Sequence, residues 1–429
     1  MHRKISVITF LLSLWTGSVL SLYGQDTPNS LSESMSEVSW DVHLKQSLMS
    51  VCEEADTHYF NTGICIFDLT ADSLLFAYNQ HKVMRPASTL KIATAVSALT
   101  LLGADYEYRT RAYYTGHITS DSILEGDICV VGAFDPSYSY SDLQSLAQSI
   151  RALNIKGVRG SFCADISMKD SLLYGNGWCW DDVPSNNTPY LCPLMLERGQ
   201  VAPFDGKYAD EIGFHPAIYF LQTLGRELSD LGCDALPCRL KITKPSADFH
   251  LFYNKTNTIS DFLPRMMKQS DNLYAESMFF HLARKDNPRW ANWKDGARAV
   301  NSVIRLAGGD VSHTEIVDGS GVSLYNYITP ATLVSLLRYA YNHESIFQVL
   351  ISSLPVAGVD GTLRNRMKSA PAYMNVHAKT GSLSGVSSLA GYIFASNGHI
   401  LAFSILNNGL LQTTTGRSYQ DRICQLLCE

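Results

Sequence analysis

A serine, two lysines, a second serine and an asparagine stand in three short segments of this chain: Ser88-Thr89-Leu90-Lys91, Ser270-Asp271-Asn272 and Lys379-Thr380-Gly381. Together these residue types supply a nucleophile, bases to activate it, and a cationic strand edge that can hold a carboxylate. Each segment alone is weak: by chance a Ser-x-x-Lys arises about once or twice in a chain of this length, and a Lys-Thr-Gly roughly one time in ten. In this order, each in a suitable local context, they point to an active-site serine enzyme.

The chemistry asks something specific of each residue. Ser88 is a poor nucleophile until its proton is removed. Lys91 does this only when neutral, and an unperturbed lysine titrates near ~10.4. Burial and the nearby charge of Lys379 both predict a lowered pKa for Lys91, so the site needs two lysines rather than one. Ser270 is placed to bridge Lys91 to a leaving nitrogen, and Asn272 to hold Lys91 and a substrate amide. Lys379, Thr380, Gly381 and Ser382 form a strand edge suited to a terminal carboxylate. The backbone N–H groups of Ser88 and Ser382 are the expected oxyanion donors, where one donor is worth roughly 3 kcal/mol. The plain alternative is a helix cap at Ser88, a solvated strand lysine at 379 and an ordinary turn at 270–272.

These residues need elements to hold them. An Ala- and Leu-rich stretch from Thr89 to Leu102 reads as a helix, with Ser88 at its N-terminus and Lys91 one turn above the hydroxyl. A helix from after Ser39 to Asp56 precedes a hairpin formed by Gly63–Asp68 and Leu74–Tyr78. Helices are expected over Ile259–Lys268, Tyr274–Arg284, Trp293–Ala307 and Pro330–Tyr341. A strand follows over Asn375–Leu383, then a hairpin turning at Asn397-Gly398 and a closing helix over Ser418–Leu427. From Tyr108 to His250 short apolar strands alternate with Gly, Pro, Asp and Asn turns, with helices expected at Leu143–Leu153 and Pro216–Leu231. The chain thus reads as α+β: an antiparallel sheet flanked by helices and completed from both ends of the sequence, with an inserted, mostly β domain. The expected boundaries are 39–108 and 256–429 for the main domain and 109–255 for the insertion.

Composition narrows the setting. With 429 residues, 46% hydrophobic and 17% charged, this is an ordinary globular composition too long for one core. A net charge of −6 and no basic run beyond the first four residues give no reason to expect nucleic acid. His2, Arg3 and Lys4 precede an apolar run from Ile5 to Leu22 and then Tyr23-Gly24, which reads as a secretory signal peptide over 1–24. An uncleaved anchor is the rival reading, since the run is near the lower limit for spanning a bilayer. Residues 25–38 read as a flexible leader, and an exported, periplasmic protein with no integral membrane segment after cleavage follows. Ten cysteines in such a compartment permit disulfides: Cys233 with Cys238, or Cys424 with Cys428 near Cys52, against the alternative of buried thiols. No Cys-x-x-Cys or His-Glu-x-x-His appears, so no metal and no other cofactor is expected.

With their flanks, the motifs resemble the D-alanyl-D-alanine carboxypeptidase/endopeptidase branch of the low-molecular-mass class C penicillin-binding proteins. The matching flanks are Lys268–Glu276, Asp318-Gly319-Ser320-Gly321-Val322-Ser323, Gly358–Leu363, His377–Val386 and Leu389–Tyr392. The resemblance runs from about Thr62 to the C-terminus. It implies a β-lactamase/transpeptidase-like core and an acyl-serine mechanism on peptidoglycan stem peptides, with β-lactam antibiotics as inhibitors. It implies catalytic roles for Ser88, Lys91, Ser270, Asn272 and Lys379. The 182 positions from Ser88 to Ser270 are fewer than in many relatives, which suggests a shortened insertion. Within it, Gly177-Trp178-Cys179-Trp180-Asp181-Asp182 resembles the family segment that brings an acid to the site, so Asp182 is expected to bind the amino group of a diaminopimelate side chain. A β-lactamase is the rival enzyme, but no Glu-x-x-Leu-Asn-type segment lies between Asn272 and Lys379. A non-catalytic scaffold is the rival outside enzymes, and the intact motif residues speak against it.

Overall fold

A strand covered on both faces reads as a nearly continuous apolar run rather than an alternating one, and Asn61–Asp68 (β1) is buried everywhere except its first residue, with Thr62 and Asp68 as buried polar ends. The computed structural model describes residues 40–56, 60–180, 185–200, 214–234, 239–244, 248–285 and 287–429. In chain order, α1 (Trp40–Asp56) precedes β1 and β2 (Ser73–Tyr78), and a 3-10 turn over Ala87–Leu90 leads into α2 (Lys91–Leu101). Then come β3 (Glu107–Thr115), β4 (His117–Ile118), β5 (Ile123–Glu125), β6 (Ile128–Val131), α3 (Tyr140–Ala152), β7 (Gly157–Val158), β8 (Ser161–Asp165), α4 (Pro216–Asp230), β9 (Arg239–Ile242) and β10 (Phe249–Thr258). The helices α5 (Ile259–Lys268), α6 (Asn272–Ala283), α7 (Trp293–Leu306), α8 (Pro330–Tyr341) and α9 (Glu344–Ser353) follow. The chain closes with β11 (Val376–Leu383), β12 (Val386–Phe394), β13 (Ile400–Asn408) and α10 (Thr413–Cys428).

The main sheet has the order β11-β12-β13-β1-β2. Its seam is the antiparallel pair β1/β13, in register from Asn61 opposite Asn408 to Asp68 opposite Leu401. The expected completion of one sheet by both ends of the sequence is what the chain does. Alternating residues of β1 feed two cores: Cys65 and Phe67 pack with α2 and α5–α9, whereas Ile64 and Ile66 pack under α1 and α10.

Residues between α2 and α5 build a second sheet, β10-β3-β6-β8-β9. Its β6/β8 and β8/β9 pairs are parallel, and parallel neighbours need a long crossover, here α3 between β6 and β8. This sheet, α3 and α4 enclose a second core that includes Leu143, Phe162, Phe220 and Leu224. Helix α6 is buried all round from Leu273 to Ala283, as a helix apolar on every face must be. Tyr274 and Met278 enter the main core, whereas Leu273 and Phe280 enter the second.

Most element expectations hold to within a few residues. The helix at Glu344–Ser353 was not expected, and the closing helix starts at Thr413 rather than Ser418. One correction matters for the site: Ser88 lies in a 3-10 turn, not at the first residue of the α-helix, which begins at Lys91. Cys424 and Cys428 are separate buried thiols in the same core as Cys52. Cys238, Asp182, the segment read as a signal peptide and the leader lie outside the described residues. Among the described residues no helix is long and apolar enough to cross a membrane.

Candidate active site

The turn that carries Ser88 is held from two sides. Ala87 adopts a left-handed φ of +48°, a conformation that costs a non-glycine residue about 1 kcal/mol. From one side the Ser388 hydroxyl donates to the Pro86 carbonyl at 2.5 Å, and Gly381 passes so close that a Cβ there would lie 2.9 Å from the Ser88 amide nitrogen. From another, Gly321 lies against Ala87, where a Cβ would meet the Ala87 carbonyl oxygen at 2.0 Å. Glycine at 381 and 321 is therefore a packing requirement of the Ser88 turn.

Lys91 is fully buried, and its ammonium nitrogen donates to three oxygens: Ser88 Oγ at 2.9 Å, Asn272 Oδ1 at 2.6 Å and the Ser320 carbonyl at 2.7 Å. Burial pulls its pKa down to about 8, against the opposing pull of Asp318, Glu276 and Asp271. Lys379 is also fully buried, donates to the Thr380 carbonyl at 2.8 Å, and is pushed well below the ordinary lysine range by burial and then by Lys91. This reverses part of the sequence expectation. The charge of Lys91 depresses Lys379, because three carboxylates stabilise the cation at 91 and none does so at 379.

The second motif forms a corner between α5 and α6. Ser270 sits at φ +59° and faces the same cleft as Ser88. Its hydroxyl makes no hydrogen bond to another described residue, so the expected bridge to Lys91 is not formed. Asp271 caps α6 by accepting from the Leu273 amide at 3.1 Å. Asn272 follows, with Oδ1 on Lys91 and Nδ2 donating to the Asn187 carbonyl at 2.6 Å.

The cleft has a volume of about 680 Å³ and is lined by Ser88, Ser270, Asn272, Thr380 and Ser382. Thr380 Oγ1 donates to Thr362 Oγ1 at 2.8 Å, and Arg417 Nη2 donates to Ser382 Oγ at 3.4 Å. Thus Ser88, Lys91, Ser270, Asn272, Lys379, Thr380, Gly381 and Ser382 are brought together from three distant segments.

Several contributors to the site emerge only in the folded chain. In the sequence, Asp318–Ser323 and Glu276 stood only as matching flanks. Asp318 accepts from the amides of Gly321 and Ser323, and Glu276 from those of Gly319 and Ser320, at 2.6–3.1 Å. These bonds fix the loop whose carbonyl holds Lys91. Arg198, Asn187 and Arg417 carry no local signal, since each reaches the site only through the fold.

Known proteins resemble this chain along most of its length. The family model described as D-Ala-D-Ala carboxypeptidase 3 (S13) matches residues 44–207 and 212–429. The chain is 29% identical to the D-alanyl-D-alanine carboxypeptidase DacB of Haemophilus influenzae, over 81% of this chain and 85% of that one. It is 27% identical to the D-alanyl-D-alanine carboxypeptidase of Actinomadura sp. strain R39, over 85% and 81%. The crystal structure of penicillin binding protein 4 (dacB) from Haemophilus influenzae aligns with a TM-score of 0.78 at 25% identity, covering 87% of this chain and 97% of that one. The fold is therefore that of the β-lactamase/transpeptidase-like serine enzymes. With nearly the whole described chain matched, this protein belongs to the D-Ala-D-Ala carboxypeptidase 3 (S13) family of serine peptidases.

Proposed function

We propose that Ser88 cleaves the terminal D-Ala-D-Ala bond of peptidoglycan stem peptides through an acyl-serine intermediate. Neutral Lys91 takes the Ser88 proton as Oγ bonds to the carbonyl carbon. The C–N bond then breaks, and the Ser270 hydroxyl, which faces the cleft, turns to relay the proton from Lys91 to the departing amine. Water hydrolyses the ester, with the proton returning along the same path. The amides of Ser88 and Ser382 donate to the oxyanion, and Lys379, Thr380, Gly381 and Ser382 receive the terminal carboxylate. The single observation that carries this reading is Lys91 Nζ, 2.9 Å from Ser88 Oγ and 2.6 Å from Asn272 Oδ1, with a pKa brought down to about 8. At that value about one lysine in ten is neutral at pH 7.

The same acyl-enzyme serves an amide whose leaving group is a cross-linked diaminopimelate residue, so endopeptidase action is the second reading of this site. A penicillin binding protein 4 (dacB) structure complexed with a novel β-lactam supports acylation of Ser88 by penicillin. The substrate places the enzyme in the cell envelope, on the periplasmic side of the inner membrane. Residues 109–255 act as an inserted domain, a reading supported by the second sheet they build, although α6 contributes Leu273 and Phe280 to its core. Asp182 receives the free amino group of diaminopimelate. The segment before it supports this, since Trp178 Nε1 donates to Asp318 Oδ2 at 3.1 Å, next to the loop that holds Lys91.

Intact-protein mass after adding benzylpenicillin tests the assignment. A persistent covalent adduct that is lost in Ser88→Ala is expected. Rapid turnover of penicillin would indicate a β-lactamase, and an adduct in Ser88→Ala would place the nucleophile elsewhere. An Asp182→Ala enzyme with unchanged preference for amino-bearing over amino-blocked peptides would remove Asp182 from the site.

A further inference from the structure

Helix α6 has Asn272 at its first residue and Arg284 at its C-terminal cap, about 18 Å apart at 1.5 Å per residue. At the Arg284 end lies a second cleft of about 330 Å³. Four arginines line it: Arg109 and Arg111 from β3, and Arg284 and Arg289 from the chain after α6. Arg109 and Arg111 are two apart on one strand, so their side chains leave the same face.

Among the described residues the charges there are poorly compensated. Glu107 pairs with Arg109. Asp165 is in the cleft, but one of its oxygens is engaged by the Ser167 amide at 2.9 Å, and it forms no ion pair among the described residues. Arg284 Nε donates to the Pro288 carbonyl at 3.3 Å. Arg111 and Arg289 have no hydrogen bond or ion pair to a described side chain. The C-terminal end of α6 favours one neighbouring cation, which accounts for Arg284. His281 adds no charge, because its Nε2 faces the Ala133 carbonyl at 2.7 Å, its Nδ1 faces the Tyr106 hydroxyl at 3.1 Å, and burial drives it towards the neutral form. Among the described residues, four guanidinium groups stand against two carboxylates, in a chain with a net charge of −6, a local concentration of positive charge.

We propose that this cleft binds a multiply charged oxyanion, either a phosphoryl group or clustered carboxylates, at a site separate from the catalytic cleft. Guanidinium groups present planar pairs of N–H donors that match both chemistries. The volume lies at the small end of the range for ligand pockets, which suits a compact anion.

Calorimetric titration of the full chain with pyrophosphate and, separately, with tricarballylate tests this, each at constant ionic strength set with sodium chloride. Saturable one-to-one binding of at least one anion is expected. That binding weakens by roughly tenfold or more in Arg111→Gln/Arg289→Gln, persists in Arg417→Gln, and leaves the rate of penicillin acylation unchanged in the double variant. Arg289→Gln alone, at an exposed position, gives the same direction of change without risk to folding. Which anion binds distinguishes the phosphoryl from the carboxylate source. Binding of neither anion, binding that survives the double variant, or binding abolished by Arg417→Gln instead would each overturn the proposal.

Discussion

The guanidinium of Arg198 makes two hydrogen bonds, 2.8 and 3.1 Å long, to the two carboxylate oxygens of Asp271. Arg198 comes from the segment between the first two motifs, and Asp271 is the central residue of the second. Arg265 adds a third bond to the same carboxylate at 2.9 Å. The carboxylate also caps α6 immediately before Asn272. The segment between the motifs is therefore part of the frame that aims Asn272 at Lys91.

Replacing Arg198 tests that frame. Arg198→Ala should lower the second-order rate of benzylpenicillin acylation by roughly tenfold, equivalent to about 1.4 kcal/mol. Arg198→Lys should recover only part of it, because an ammonium cannot reproduce the two-pronged contact. Stopped-flow acylation kinetics read both, and an unchanged rate would show that the corner keeps its shape without the insertion.

The acylation rate should rise with pH and level off above about 8. Lys91 titrates at about 8 and acts as a base only when neutral. Below that value the rate should fall tenfold per pH unit, as the neutral fraction does. The stability sign runs the same way. A lysine depressed from 10.5 binds fewer protons when folded, so its contribution to stability grows as pH rises from about 8 towards 10.5. A pH profile with no inflection near 8 would exclude Lys91 as the base.

Glu276 should tune that inflection without touching substrate. Its carboxyl is buried and pushed up to about 8, by burial first and then by Asp318. Its anionic form opposes deprotonation of Lys91. Glu276→Gln keeps an acceptor for the Gly319 and Ser320 amides while removing the charge, so the rising limb should move to lower pH. Glu276→Ala should instead lower stability, by about 1–3 kcal/mol for each buried amide left unpaired. A limb that stays in place in Glu276→Gln would confine Glu276 to a packing role.

Gly381→Ala should be far more harmful than its size suggests. The added methyl would lie 2.1 Å from Ser388 Oγ, 2.8 Å from the Pro86 carbonyl oxygen and 2.9 Å from the Ser88 amide. The strand and the Ser88 turn must then separate, and a misplacement of about 1 Å in an active site costs on the order of 100-fold in rate. Acylation kinetics on a folded variant, checked by circular dichroism, would measure it.

Particular residues show what the sequence alone could carry. Pro330 and Tyr341 bound their helix as expected, because proline suits a first helical position and the apolar periodicity is clear. Asn397-Gly398 marked its hairpin for an equally local reason. Glu344–Ser353 was missed, since it follows α8 after only two intervening residues, with no side-chain cap to announce it. At the site, the three motifs were legible because the chemistry itself restricts residue type. The 3-10 turn at Ser88 was not, because Gly381 and Gly321 impose it from segments hundreds of positions away. The contacts of Arg198, Asn187 and Arg417 are likewise tertiary, and no local pattern encodes them.

The seam between β1 and β13 joins residues 61–68 to residues 401–408. A chain made from its N-terminus must therefore hold β1 unpaired on that edge until residues 401–408 have been made. Lys379 and the strand that carries it arrive in the same late portion. No stretch of chain that ends before that strand holds both the serine and the lysine edge, so a chain cut short there carries the nucleophile without its second lysine.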